Sequence, residues 1–154
     1  MNRNVILENL ANWRPKTERE TLEIAGDGWN AAITADCVDV VGSRLWELSL
    51  RRTAEAPVVD LQTRAEQICD RVTGLLEPLS VVEVDAPHHT ALLRSQQSGQ
   101  IGDERFYYEL LLNGDGCSVL RRYQTPQEGQ PRRKQVAFTL THDALGKLVG
   151  DLTR

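Results

Sequence analysis

The chain has 154 residues, 40% hydrophobic and 26% charged, which supplies one globular core and is too short for two comfortable ones. Eighteen basic and 22 acidic side chains leave a net charge of −4, arguing against a nucleic-acid partner held by general phosphate attraction. No stretch approaches the ~20 apolar residues of a membrane span, and the first residues lack the apolar run of a signal peptide, so the expectation is a soluble, cytoplasmic protein.

Asn4 is placed to cap a short helix carrying Val5, Ile6, Leu7 and Leu10, which ends before Pro15. The charged stretch from Arg14 to Glu23 reads as a connector. Residues 1–23 are therefore expected as a short helix and linker, and residues 24–154 as a single domain.

A hairpin comes next. Trp29, Ala31, Ile33, Ala35 and Cys37 alternate on one strand face, and Trp46, Leu48 and Leu50 on the return strand. A two-residue turn at Gly42-Ser43 would pair Cys37 with Leu48 and Ala35 with Leu50. A long helix then follows from Asp60 to Glu77. Pro57 precedes it, Asp60 is a competent N-cap, and Leu61, Ala65, Ile68, Val72, Leu75 and Leu76 form one stripe.

From Val81 to Ser95 the period returns to two, interrupted near Pro87, so this stretch is either one bent strand or two short ones. Arg105–Leu112 and Cys117–Gln124 form a second hairpin around Asn113-Gly114-Asp115-Gly116. A turn centred on Gly114-Asp115 would set Tyr108 opposite Arg121 and Phe106 opposite Tyr123 on the core face. Tyr107 would then meet Arg122 on the solvent face. A polar loop from Thr125 to Pro131 precedes a strand with Val136, Phe138 and Leu140 on one face. Thr141 caps a final helix with Leu145, Leu148, Val149 and Leu152 at helical spacing.

The expected fold is α+β: a single curved antiparallel sheet of five to seven strands, order α-β-β-α-β-β-β-β-α, packed on one long and one C-terminal helix. The run strand, helix, four strands, helix loosely resembles TATA-binding-protein-like and helix-grip architectures, in element order alone, and such a likeness carries no function.

Candidate sites are few. The three cysteines, Cys37, Cys69 and Cys117, lie in apolar-periodic segments without CxxC or Cys/His spacing, and read as buried free thiols with no bound cofactor. Glu83, Asp85, His88 and His89 are weak metal candidates, because adjacent histidines point to opposite faces of a continuing strand. Gly26-Asp27-Gly28 and Gly114-Asp115-Gly116 are turns, not phosphate loops. Arg132-Arg133-Lys134 reads as a solvated strand end. Arg105, Tyr107 and Arg122 would form a solvent-side patch of the residue types favoured at interfaces. Tyr108 and Arg121 would face the helices, and a cavity there of ~300 Å³ or more could hold a ligand. The leading expectation is a binding or adaptor protein that holds another polypeptide, or a second copy of itself, through a sheet face or edge. The alternative is a helix-grip-like small-ligand-binding protein or weak enzyme with a pocket between long helix and sheet.

Overall fold

Alternating burial dominates the chain, and the strands it generates join into one antiparallel sheet. The computed structural model describes residues 1–55 and 60–154, so Pro57 lies outside the described residues. Among those described, the order is α1 (Arg3–Asn12), β1 (Glu20–Gly26), β2 (Trp29–Val38), β3 (Gly42–Arg52), α2 (Leu61–Arg71), β4 (Leu79–Asp85) and β5 (Thr90–Ser95). Then come β6 (Gly99–Ile101), β7 (Glu104–Asn113), β8 (Ser118–Gln124), β9 (Lys134–Val136), β10 (Phe138–Thr141) and α3 (His142–Leu152). The α+β class holds, with more strands than the expected order contained.

The strands lie in the sequence β1-β2-β3-β8-β7-β5-β4 across the sheet. β6 continues beside β7, ahead of the stretch that pairs with β5. β3 and β8 pair only from Leu48 to Leu50, opposite Leu120 to Ser118. Past that point they diverge, and the last strand segment fills the fork: Phe138 pairs with Leu45 of β3, and Val136 with Arg122 of β8. The single strand expected through Val136, Phe138 and Leu140 is thus broken at Ala137 to serve two neighbours.

All three helices contribute to one core. α2 packs on β4 and β5, α3 on β3 and β10, and α1 against α3 and β1. Ile6 and Leu10 of α1 are fully buried, as are Leu145 and Val149 of α3 and Ala65 of α2. None of these helices is long and apolar enough to cross a membrane.

Several local expectations are corrected. The cap of α1 is Asn2, whose side chain accepts from the Asn4 N–H at 2.9 Å. Strand β1 occupies part of the stretch read as a connector; Leu22 and Ile24 pair with Ile33 and Ala31. Its charged outer residues hid the alternation. Asp60 does cap α2, accepting from the Thr63 N–H at 2.9 Å, but the helix stops at Arg71 rather than Glu77. Thr73 and Gly74 are poor helix formers, and Leu76 is left 78% exposed. The open choice at Pro87 resolves to two strands, β4 and β5, joined by a turn in which His89 has φ +51°.

Both hairpin registers also differ. In the first, the Asp39 carboxylate accepts from the N–H groups of Val41 (2.7 Å) and Gly42 (2.8 Å), moving the turn before Gly42. Register shifts on either side of Ala35 place Ile33, not Cys37, opposite Leu48, and Ala31 opposite Leu50. Beyond them the alternation inverts, so Cys37 is exposed while Val38 is buried. Trp46 parts company with Leu48 and Leu50 and faces outward. In the second hairpin, Asn113 pairs with Cys117 (N–H to O, 2.9 Å) around a three-residue loop whose last member, Gly116, has φ +90°. Tyr108 therefore meets Arg122, Tyr107 meets Tyr123, and Glu109 meets Arg121. A slip of one residue exchanges the two faces of a strand. It sends Arg122 inward and Arg121 outward, the reverse of the expected placement.

Candidate functional site

Two places on the sheet gather polar and aromatic side chains. The first lies on the inner face, beyond the reach of α2. Because α2 ends early, the segment after it runs over the sheet end built by β6 to β9, and brings Leu76 and Glu77 above Phe106, Tyr108 and Arg122. The result is a groove of about 300 Å³ lined by Leu76, Ile101, Phe106, Tyr108, Arg122 and Val136, and continuing along Ala137 to Thr139.

Arg122 forms the floor of this groove and is 7% exposed. Its Nη2 donates to Glu77 Oε1 at 2.9 Å, and its guanidinium carbon lies 4.4 Å from the Tyr108 ring centroid. Gly99 lets this pair form, since any Cβ there would collide with Glu77 Oε1. Tyr108 is completely buried and meets Phe138 edge-on at 5.4 Å. Burial pushes its phenol above the ordinary value, with the nearby Arg122 charge acting the other way. Among the described residues, the Tyr108 hydroxyl and Glu77 Oε2 are buried without hydrogen-bond partners.

The second place is the solvent-side face of the sheet. Tyr107 and Tyr123, on neighbouring strands, stack with centroids 5.9 Å apart. The Arg94 guanidinium lies over Tyr107 at 4.9 Å and that of Arg133 over Tyr123 at 3.9 Å. Glu109 ties the group together by accepting from Arg94 (2.9 Å) and from both terminal nitrogens of Arg133 (2.5 and 3.0 Å). Burial works to raise the Glu109 carboxyl, but the hydrogen bonds and charges of Arg133 and Arg94 outweigh it and hold the pKa below the usual range. Next along the face, Arg121 donates to Glu47 at 2.7 Å. Beyond it Trp46 donates to Asp36 at 2.8 Å and carries Arg19 over its ring at 3.3 Å.

The expected patch of Arg105, Tyr107 and Arg122 is therefore split. Tyr107 belongs to the solvent-side cluster, Arg105 is exposed at the start of β7, and Arg122 lies in the inner groove. The expected inner pair of Tyr108 and Arg121 is split likewise, with Arg121 on the outer face. Ile68 and Val72 are buried in the core cluster and do not line the groove.

Glu83 and Asp85 border a shallow outer-face depression with Thr90 and Leu92. His88 folds back on Asp85 at 2.7 Å, and the His89 carbonyl accepts from the Gly114 N–H at 2.8 Å. Among the described residues no group of three His, Cys, Asp or Glu side chains converges as a metal site would require. Cys69 and Cys117 are partly buried, and burial raises both thiols above their ordinary pKa.

Sequence reasoning missed Glu77, Trp46, Glu109 and Arg133 as members of these clusters. The one usable signal was the run Phe106-Tyr107-Tyr108, which puts aromatics on both faces of β7 whatever the register. Comparison with protein-family models, with curated proteins and with solved structures returned no match for this chain.

Proposed function

We propose that the chain is a small binding protein that holds a segment of another polypeptide against the solvent-side face of its sheet. The observation carrying this reading is the joined set of Tyr107, Tyr123, Arg94, Arg133 and Glu109. Rigid aromatic rings with guanidinium groups stacked on them lose little conformational freedom when a partner covers them. Arg94 and Arg133 remain about two-fifths exposed while Glu109 is nearly covered, so the face offers guanidinium donors rather than carboxylate, over a Tyr107 ring that is itself only 8% exposed. Arg19, Arg44 and Arg121 extend the same character toward β2. The preferred partner is a segment with acidic and apolar residues, supplied by a cytoplasmic protein or by a second copy of this chain.

Selection from a displayed peptide library tests this. Selected peptides are expected to combine acidic and apolar side chains, and Tyr123→Ser or Arg133→Ser should weaken them about tenfold, a loss of ~1.4 kcal/mol. Peptides that bind both variants as well as the parent chain would remove the proposed face. Light scattering over a concentration series separates the two partner types: a mass that doubles with concentration, and fails to do so in Arg133→Ser, identifies self-association.

A further inference from the structure

We propose that the inner groove is a binding site for a neutral, mainly apolar small molecule carrying one group that both accepts and donates hydrogen bonds, such as a primary carboxamide. The site is separate from the solvent-side face and does not rest on it.

The argument begins with unused polar capacity. A guanidinium presents five N–H donors, yet among the described residues Arg122 makes one hydrogen bond, to Glu77 Oε1. Beside it Glu77 Oε2 is buried and unpartnered, and the Tyr108 hydroxyl, close to Arg122 and the Leu76 backbone, has no hydrogen bond of good geometry. Buried polar groups in folded chains are nearly always satisfied, so spare capacity on Arg122 and Tyr108, which line the groove, and on Glu77 paired to Arg122 behind them, describes a place where something polar fits. The charges narrow what that is. Arg122 and Glu77 neutralise each other, so a carboxylate drawn to the guanidinium meets the Glu77 charge, and an ammonium drawn to Glu77 meets Arg122. A carboxamide satisfies both: its carbonyl accepts from Arg122, its N–H donates to Glu77 Oε2, and the Tyr108 hydroxyl serves either atom.

The walls set the rest of the molecule. Leu76, Ile101, Phe106, Val136 and Phe138 surround the polar floor, and Leu76 and Ile101 stand 78% and 71% exposed at the rim. An apolar body seated between them removes that surface from water, the same driving force that builds the core. A volume of about 300 Å³ is at the small end of ligand pockets, which suits a body of one ring rather than a long chain.

The test is a titration followed by NMR, with methyl and amide signals of Leu76, Ile101, Val136 and Phe138 as reporters. Three probes of one shape are compared: 3-phenylpropanamide, 3-phenylpropanoate and propylbenzene. The amide should give saturable shifts confined to the groove, and bind at least about fivefold more tightly than the other two. Tyr108→Phe, which removes only that hydroxyl and should leave the thermal midpoint unchanged or raised, should weaken the amide by a similar factor. Overturning results are absence of saturable shifts with all three probes, propanoate or propylbenzene binding as tightly as the amide, or unchanged amide affinity in Tyr108→Phe. The first of these would mean that solvent alone satisfies the floor.

Discussion

The Arg122–Glu77 pair gives the sharpest energetic test of this structure. Its side chains are only 8% and 12% exposed, so removing one partner leaves the other as an almost desolvated charge. Breaking a buried pair in this way costs about 3–5 kcal/mol. The groove gives Arg122 some access to water, so the lower end applies, and Glu77→Leu should lose about 3 kcal/mol. For a chain of this length that lowers the thermal midpoint by roughly 6–12 °C and the urea midpoint by about 1–2 M, with unchanged slope. Because a buried pair is poorly screened, the loss should be nearly the same at low and high salt. Replacing both members, Glu77→Leu with Arg122→Leu, removes the stranded charge and should return the chain to within about 1 kcal/mol of the parent. Urea unfolding monitored by circular dichroism reads all of these. A single replacement costing less than about 1 kcal/mol, or a double costing the sum of the singles, would refute the buried placement of Arg122 and with it the register of β7 and β8.

Three further outcomes follow from other parts of the molecule. Glu109 has its pKa held below the ordinary carboxylate value, so its contribution to stability is complete above the unfolded value, near 4.5, and drains away as the pH falls through the lower folded value. The stability gap between the parent chain and Glu109→Gln should accordingly be widest at neutral pH and close in acid; a gap that widens in acid would contradict the assignment. Gly116→Ala forces φ +90° on a residue with a side chain and brings its Cβ to 2.8 Å from that of Arg52. A loss of at least about 1–2 kcal/mol in urea unfolding is expected, and a neutral result would mean the hairpin closes differently. With a thiol reagent at neutral pH, exposed Cys37 should react first, and Cys69 and Cys117 slowly, since burial both covers them and disfavours their thiolates. Mass spectrometry of the first adduct settles the order.

Where one residue type carries a signal, the chain could be read directly. Asp60 before the stripe of Ala65, Ile68 and Val72, and Thr141 before Leu145, Leu148 and Val149, announce their helices because cap and apolar period agree. Alternation likewise announced most of the sheet. What escaped was whatever depended on counting residues through a turn. The loop at Gly114 was recognisable, but whether it holds two or three residues depends on the left-handed geometry at Gly116, and that count assigns Arg121 and Arg122 to their faces. The irregularity near Ala35 leaves no compositional mark, so the outward turn of Trp46 toward Asp36 was invisible. Strand β1 was hidden for another reason: its edge position leaves Glu20, Thr21 and Glu23 free to be polar, and Leu22 and Ile24 alone make a weak pattern. The clusters combine side chains from strands far apart in sequence, which no local pattern encodes.

The fork between β3 and β8 bears on how the molecule assembles and breathes. Its filling segment joins Leu45 to Phe138 and Arg122 to Val136, contacts that cannot form until both arms are already in position, so it should dock late and detach early. Amide protons of Val136 and Leu140, at the hydrogen-bonded positions of its two ladders, should then exchange with solvent before those of Leu48 and Leu120. Each such excursion would also strip away one wall of the cleft, giving a guest a way in that leaves the three helices undisturbed.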